Sequence, residues 1–207
     1  KKKAKLDVYP LDITNLKALK LKNFDCMAFL NQYKSDFEDF ILSAQFPELV
    51  SFDDIKLRYN YIENSIMYKV IEKDIPRVYK IAKLDEFKHL FISLVQDSSS
   101  IFELQNLCAN IGINRHTATS FLETLKSSLM LDEISTLQKS FHKSNRSHKK
   151  IYALSPNFTA ALLKLYQGNP LLGDIMGKMV ETYAYQRLKD SFENIAFIRK
   201  GEKEIDF

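Results

Sequence analysis

Cysteine, glycine and proline are scarce in this chain: two, five and five among 207 residues. Two cysteines, Cys26 and Cys108, both in apolar surroundings, exclude a disulfide framework and make a reducing cytoplasm the expected setting. So few glycines and prolines argue against an all-β protein full of tight turns and favour helices. No run approaches the ~18 consecutive apolar residues that a spanning helix needs, so no membrane partner is expected. Lys1-Lys2-Lys3 is followed by no apolar segment, so no secretory signal is expected in these residues. A phosphate-cradling G-x-x-x-x-G-K-[ST] loop, in which several backbone N–H groups converge on one anion, is missing too. The nearest string, Gly173-Asp174-Ile175-Met176-Gly177-Lys178-Met179, is one residue short between its glycines and lacks the hydroxyl that would hold Mg²⁺. His89, His116, His142 and His148 have no metal-ligand spacing with either cysteine, which argues against zinc. No cofactor or metal is expected in this stretch.

What is present resembles an ordinary globular chain, with 45% hydrophobic and 27% charged residues and a formal charge of +4. At roughly 100–200 residues per domain, one or two cores are expected. The first residue is not Met, and the last falls inside a strand-like pattern. The chain therefore reads as a piece of something longer.

Residues 5–13 alternate apolar and polar, as a short strand entering a Pro turn would. From about Leu16 to Ser43 the pattern is helical, and Phe46-Pro47 breaks it. A second helix is expected from about Asp53 to Lys73, with Ile55, Tyr59, Ile62, Ile66 and Val70 on one side and Ile75-Pro76 marking its end. Leu84, Phe87, Leu90, Phe91 and Leu94 form the apolar stripe of a further helix. Ser100-Ile101-Phe102-Glu103 reads as a capping box opening the next one. After a turn at Gly112, Asn114 caps a helix that buries Ala118, Phe121, Leu122 and Leu125. Residues 129–136 and 150–154 read as two strands joined by a polar loop. Three helices with a Gly turn between the last two, then a two-stranded wing, is the pattern of a winged helix-turn-helix. A helix near Phe158–Tyr166, another over 172–189, and a hairpin about Lys200-Gly201-Glu202 complete the chain.

Three constellations carry candidate chemistry. Between Glu133 and Asp174 there is no carboxylate, but Lys139, Lys143, Arg146, Lys149, Lys150 and Lys164 all fall there. These six cations exceed the net charge of the whole chain. A basic wing beside a helix-turn-helix attracts a phosphate backbone by counterion release; a solvated hairpin tip is the plainer alternative. On the third helix of that unit, Arg115, His116, Thr119 and Ser120 face outward over its first two turns, where a recognition helix meets base edges, although Glu123 would repel phosphate. Winged helices also serve as protein-contact modules. Last, Glu204 and Asp206 are two apart in a strand and share a face, with Glu181 on the preceding helix. Carboxylates converging in this way suit a hard cation in a Mg²⁺-dependent nuclease; surface salt bridging is the alternative.

Several strings occur together in order: Tyr9-Pro10-Leu11, Phe46-Pro47-Glu48, Ile71-Glu72-Lys73-Asp74-Ile75, the helix-turn-helix of 107–131, Lys150-Ile151-Tyr152, Gly177-x-x-x-Glu181 and residues 199–207. Together they resemble the C-terminal part of a large prokaryotic, often archaeal, family of AAA-superfamily ATPases, whose P-loop core is followed by a domain of uncharacterised role. Where that family usually has Gly-Gly before Phe-Pro, this chain has Ala44-Gln45. Where it often has Asp after the wing strand, this chain has Ser155. The resemblance implies an upstream ATPase domain that binds ATP and Mg²⁺. It also implies a PD-(D/E)XK restriction-endonuclease-like end, with Glu181 as the helix acid, Asp206 as the first strand acid and the following Glu-x-Lys strand absent.

The expected fold is mainly α. Residues 1–13 are the exit strand of an ATPase core, 14–83 a helical linker region and 84–155 the winged helix-turn-helix. Residues 156–207 are the start of a truncated α/β nuclease-like domain. The expected function is a DNA-contacting regulatory or targeting module, itself catalytically inert, on a parent ATPase. The alternatives are an interaction or homo-oligomerisation platform packing on its own ATPase domain, and a metal-dependent nuclease at full length.

Overall fold

The computed structural model describes residues 23–137, 148–200 and 203–207, the side chains of 23–32 and 200 excepted. The strand expected over 5–13 and the wing tip carrying Lys139, Lys143 and Arg146 lie outside the described residues. The chain is mainly helical with a small antiparallel sheet. It divides into two units, Lys1–Phe37 and Glu38–Phe207. The described part of the first is helix α1, Asn23–Ser43, which continues into the second.

Within the second unit, a 3-10 turn over Pro47–Ser51 follows α1, with the extended Phe46 at its start. Asp54 then caps α2, Ile55–Tyr61, accepting the Lys56 N–H at 2.8 Å. The expected long helix is one unbroken helical run from Ile55 to Val78 whose winding changes along its length. Two π-helical segments, Ile62–Met67 and Val70–Asp74, lead into the short α3, Ile75–Val78. A π-turn holds more residues than an α-turn, so it moves the apolar stripe along by one position. Tyr59 and Ile62 are buried and Ile55, Ile66 and Val70 pack against the same core as expected, and Met67, Ile71 and Ile75 join them there fully buried. Pro76 does not end the run; it sits in the first turn of α3, where its missing N–H is not needed.

The next elements run α4 (Leu84–Gln96), β1 (Ile101–Phe102), α5 (Leu104–Ile111), α6 (Arg115–Ser127), β2 (Leu131–Ser135) and β3 (Lys149–Ala153). Ser100 to Glu103 is not a capping box. Ile101–Phe102 is β1, Glu103 is the extended residue before α5, and the Ser100 hydroxyl is buried without a partner. Gly112 takes φ +78° at the end of α5, a conformation without penalty only for glycine. Asn114 accepts the Thr117 N–H at 2.8 Å and so caps α6. Ala118, Phe121, Leu122 and Leu125 are buried on α6, and Phe121 meets Phe87 of α4 edge-on at 5.1 Å between ring centroids.

The sheet order is β1-β3-β2, antiparallel throughout, with Ile101 opposite Lys150 and Glu133 opposite Ile151. Because side chains alternate along a strand, Ile151 and Ala153 enter the main core, whereas Lys150 and Tyr152 share the other face. That second face is covered by α8 (Leu172–Lys189) and by Phe197, which bridges Thr136 in parallel. Before α8 comes α7, Pro156–Leu163, which is buried on nearly all sides. Its Asn157 side chain donates to the Ile41 and Phe40 carbonyls at 2.7 and 3.1 Å and accepts the Gln45 N–H at 2.9 Å. It thereby satisfies groups at and just beyond the C-terminal end of α1. Beside it, Ser155 Oγ donates to Gln45 Oε1 at 2.7 Å. A hairpin of β4 (Ile198–Lys200) and β5 (Lys203–Ile205) follows, with Ile198 opposite Ile205. One hydrophobic core runs from Ile41 to Met179, so residues on both sides of positions 83 and 155 pack together.

Candidate nucleic-acid interface and the Lys150 carboxylate cluster

On α6 the buried stripe leaves Arg115, His116, Thr119 and Ser120 exposed, on the face and over the turns read from the sequence. Arg115 has no ion pair among the described residues. Glu123, further along this face, is paired with Lys126 at 2.9 Å, which reduces the repulsion it would offer a phosphate. Beside the helix, Lys149 reaches Glu133 Oε1 at 2.8 Å, and Lys126 approaches the same oxygen at 3.7 Å. Lys149 is partly exposed and remains available at the rim.

Lys150 does not belong to this surface. It was expected among the phosphate-contacting cations, yet its side chain is 2% exposed and its Nζ lies 2.9 Å from Glu181, 2.6 Å from Glu204 and 2.7 Å from Asp206. A buried ammonium held by three carboxylates cannot reach a DNA backbone. The cause is strand alternation: Lys149 falls on the Ile151 face, and Lys150 falls on the Tyr152 face, turned toward α8 and the hairpin. Burial alone would lower the Lys150 pKa, but hydrogen bonds to Asp206, Glu204 and Glu181 outweigh it and hold the amine protonated well above its ordinary range. Tyr152 donates its hydroxyl to Glu181 Oε1 at 2.8 Å. Burial, followed by the Glu181 charge, raises its pKa strongly. Its ring stacks on Tyr185 with centroids 4.1 Å apart, and Phe207 closes against both. Tyr185 is pushed up as well, by burial and then by Asp132.

The structure thus brings together Glu181, Glu204 and Asp206, as the helix-and-strand reading anticipated, and adds Lys150 and Tyr152, which that reading did not include. Three acids opposite one lysine leave two formal negative charges. As donors, the carboxylate oxygens suit a hard cation. The residues present nevertheless do not fit one: Lys150 stands between the carboxylates, Glu181 is also engaged by Tyr152, and no cation-holding group of His, Cys, Asp or Glu occurs among the described residues. What the arrangement does is join β3, α8 and the end of the hairpin by charge. The signal in the sequence was the alternation Lys150-x-Tyr152 against Ile151-x-Ala153.

Residues 34–168 match the family described as a domain of unknown function (DUF8612), and the chain belongs to that family. No curated protein and no solved structure matches. The matched residues include α6, Lys150 and Tyr152, and end before α8 and the hairpin that carry the three acids. Among the described residues, no helix is long and apolar enough to cross a membrane.

Proposed function

Membership in this family assigns no activity, and we propose from the geometry that residues 84–155 form a winged helix that contacts duplex DNA. The resemblance to AAA-superfamily ATPases extends the proposal: the module would regulate or target a larger ATP-binding protein and would itself be catalytically inert. The observation that carries the reading is the bare first two turns of α6. Arg115, His116, Thr119 and Ser120 stand exposed there, beside Lys149, while the opposite face of the helix is packed. The element order α4-β1-α5-α6-β2-β3, with sheet order β1-β3-β2, supports the same unit.

Fluorescence anisotropy with a labelled mixed-sequence duplex tests it. Affinity should fall steeply between about 50 and about 200 mM salt, with a logarithmic slope near −0.9 for each phosphate neutralised. Arg115→Ala should make that slope shallower by about one unit. Absence of binding, or binding indifferent to salt, would overturn the reading.

A second reading, an interaction platform that self-associates or packs on a neighbouring domain, is favoured by one observation. Ile198 and Ile205 face each other across the hairpin and are 45% and 59% exposed, and Leu137, bonded to the Phe197 carbonyl, is 63% exposed. Salt-insensitive self-association in sedimentation, lost on Ile205→Lys, would support it over the first. The nuclease-like reading would require Glu181 and Asp206 to be released from Lys150, and cleavage by a longer chain would have to vanish on Glu181→Ala or Asp206→Ala.

A further inference from the structure

The Lys150 ammonium is the point at which three elements meet. Its Nζ lies 2.9 Å from Glu181 of α8 and 2.6 and 2.7 Å from Glu204 and Asp206 at the end of the hairpin. An ammonium carries three N–H donors and no acceptor, so three carboxylates use it in full. The Phe197 ring lies to a further side, its centroid 5.4 Å from Nζ. Carboxylate oxygens that converge on one point from separate elements are the means by which proteins seat a hard divalent cation. Here that point already holds a cation, and the chain itself carries it. The spacing suits a large ion. Ca²⁺ takes oxygens at about 2.3–2.6 Å and Mg²⁺ at about 2.0–2.1 Å, so carboxylates standing off an ammonium need move least for Ca²⁺. The charge suits a divalent one, because it would leave one formal negative charge where the ammonium leaves two. The three acids keep contact with solvent while Lys150 has almost none, so an ion has a way in from the acid side.

We infer that Lys150 is a tethered substitute for a metal ion: it fills the seat of a Ca²⁺-sized cation among Glu181, Glu204 and Asp206 and keeps that seat closed to metals. Removing its charge opens a divalent-cation site at the same three acids. The resemblance to a nuclease-like fold implies a metal held by Glu181 and Asp206, and the geometry gives that place to an ammonium from β3 instead. Because the plug sits on one strand of the wing and the acids on α8 and the hairpin, metal binding by the wild-type chain would require β3 to part from both. The inference is independent of the DNA reading, since it uses no part of the α6 surface.

Tb³⁺ and Ca²⁺ are the probes. Tb³⁺ shares the size and oxygen preference of Ca²⁺ and emits when a neighbouring tyrosine is excited, and Tyr152, whose hydroxyl lies 2.8 Å from Glu181, is that tyrosine. Lys150→Ala should gain saturable, Ca²⁺-displaceable Tb³⁺ emission that disappears when Asp206→Asn is added. The wild-type chain should give the same background emission with and without Asp206→Asn. Stability supplies the second readout. At Ca²⁺ about 100 times the dissociation constant obtained by displacement, the folded-to-unfolded ratio of Lys150→Ala in urea should rise about a hundredfold, and that of wild type should not move. Saturable emission from wild type that Asp206→Asn removes overturns the inference, because the lysine would then not close the seat. A folded Lys150→Ala chain that gains neither emission nor stability overturns it as well. If Lys150→Ala does not fold in the absence of Ca²⁺, Lys150→Gln, which keeps a hydrogen-bond donor but no charge, takes its place. Failure of both variants to fold at any Ca²⁺ concentration also counts against it, since an ion able to replace the ammonium would restore them.

Discussion

Lys150 is the residue whose surroundings have the sharpest consequences. Its ammonium is fully enclosed, while its three partners still touch water, at 18%, 28% and 47% side-chain exposure. Removing one partner of a buried ion pair leaves the others uncompensated, which costs about 3–5 kcal/mol when all are buried. Here the acids can recruit solvent, so Lys150→Met should destabilise the chain by about 2 kcal/mol, below that range. Urea unfolding near neutral pH measures it. The alkaline side follows from the raised pKa values of Lys150 and Tyr152. A group whose folded pKa lies above its unfolded value binds more protons when folded. The stability it contributes is complete below the ordinary values of 10.5 for lysine and 10.0 for tyrosine, and is lost as pH climbs through the folded values. Denaturant midpoints should therefore decline above about pH 10. In Lys150→Met they should decline less, and in wild type the tyrosinate absorbance of Tyr152 should develop only as the fold opens.

Among the elements, α6 joins local chemistry to the proposed surface most directly. Asn114 fixes its first turn, so Asn114→Ala should cost about 1 kcal/mol and loosen the segment bearing Arg115 and Thr119. Thermal unfolding measures the cost, and amide exchange confined to that first turn distinguishes a lost cap from a general defect. This helix was readable because its signals agree: a turn glycine, a capping Asn, and apolar residues at 118, 121, 122 and 125. The same holds for α8, whose bounds match the span read from its periodicity, and for Glu204 and Asp206, placed on one side by two-residue spacing. Elsewhere two principles competed. Over 62–74, helical periodicity assumed 3.6 residues per turn, and no sequence rule announces a π-turn, so the reading found Ile66 and Val70 but missed Met67 and Ile71, which turn inward beside them. At Ser100–Glu103 the capping-box pattern was satisfied by composition, but pairing with β3 claimed Ile101 and Phe102 as a strand. Lys150 was misplaced because a charge next to Lys149 reads as part of a basic run. Only the partners that α8 and β5 bring from far along the chain make its burial affordable.

At the scale of the molecule, the decisive fact is that one core spans Ile41 to Met179 although the sequence there reads as three successive segments. Phe158 of α7 shows how. It is fully buried, stacks on Phe46 at 5.9 Å and meets Phe91 of α4 edge-on at 6.5 Å between ring centroids. Its neighbour Asn157 ties the same helix to the end of α1, and Thr159 Oγ1 donates to the Val95 carbonyl at 2.8 Å. A helix buried on almost every side, with anchors in the region before position 83 and in the region between 84 and 155, cannot let either unfold alone. Phe158→Ala should thus cost about 3–5 kcal/mol, the scale for emptying an aromatic site in a packed core. More telling is how that loss is distributed. If one core governs the unit, far-ultraviolet dichroism, which weights the helices, and tyrosine emission, which weights Tyr152, Tyr185 and Tyr59 in a chain without tryptophan, will trace a single transition in urea. Both midpoints will then shift together in Phe158→Ala. A winged helix standing as an independent domain would instead keep its own transition, and amide exchange in α6 and β3 would stay protected after α2 and α7 had exchanged.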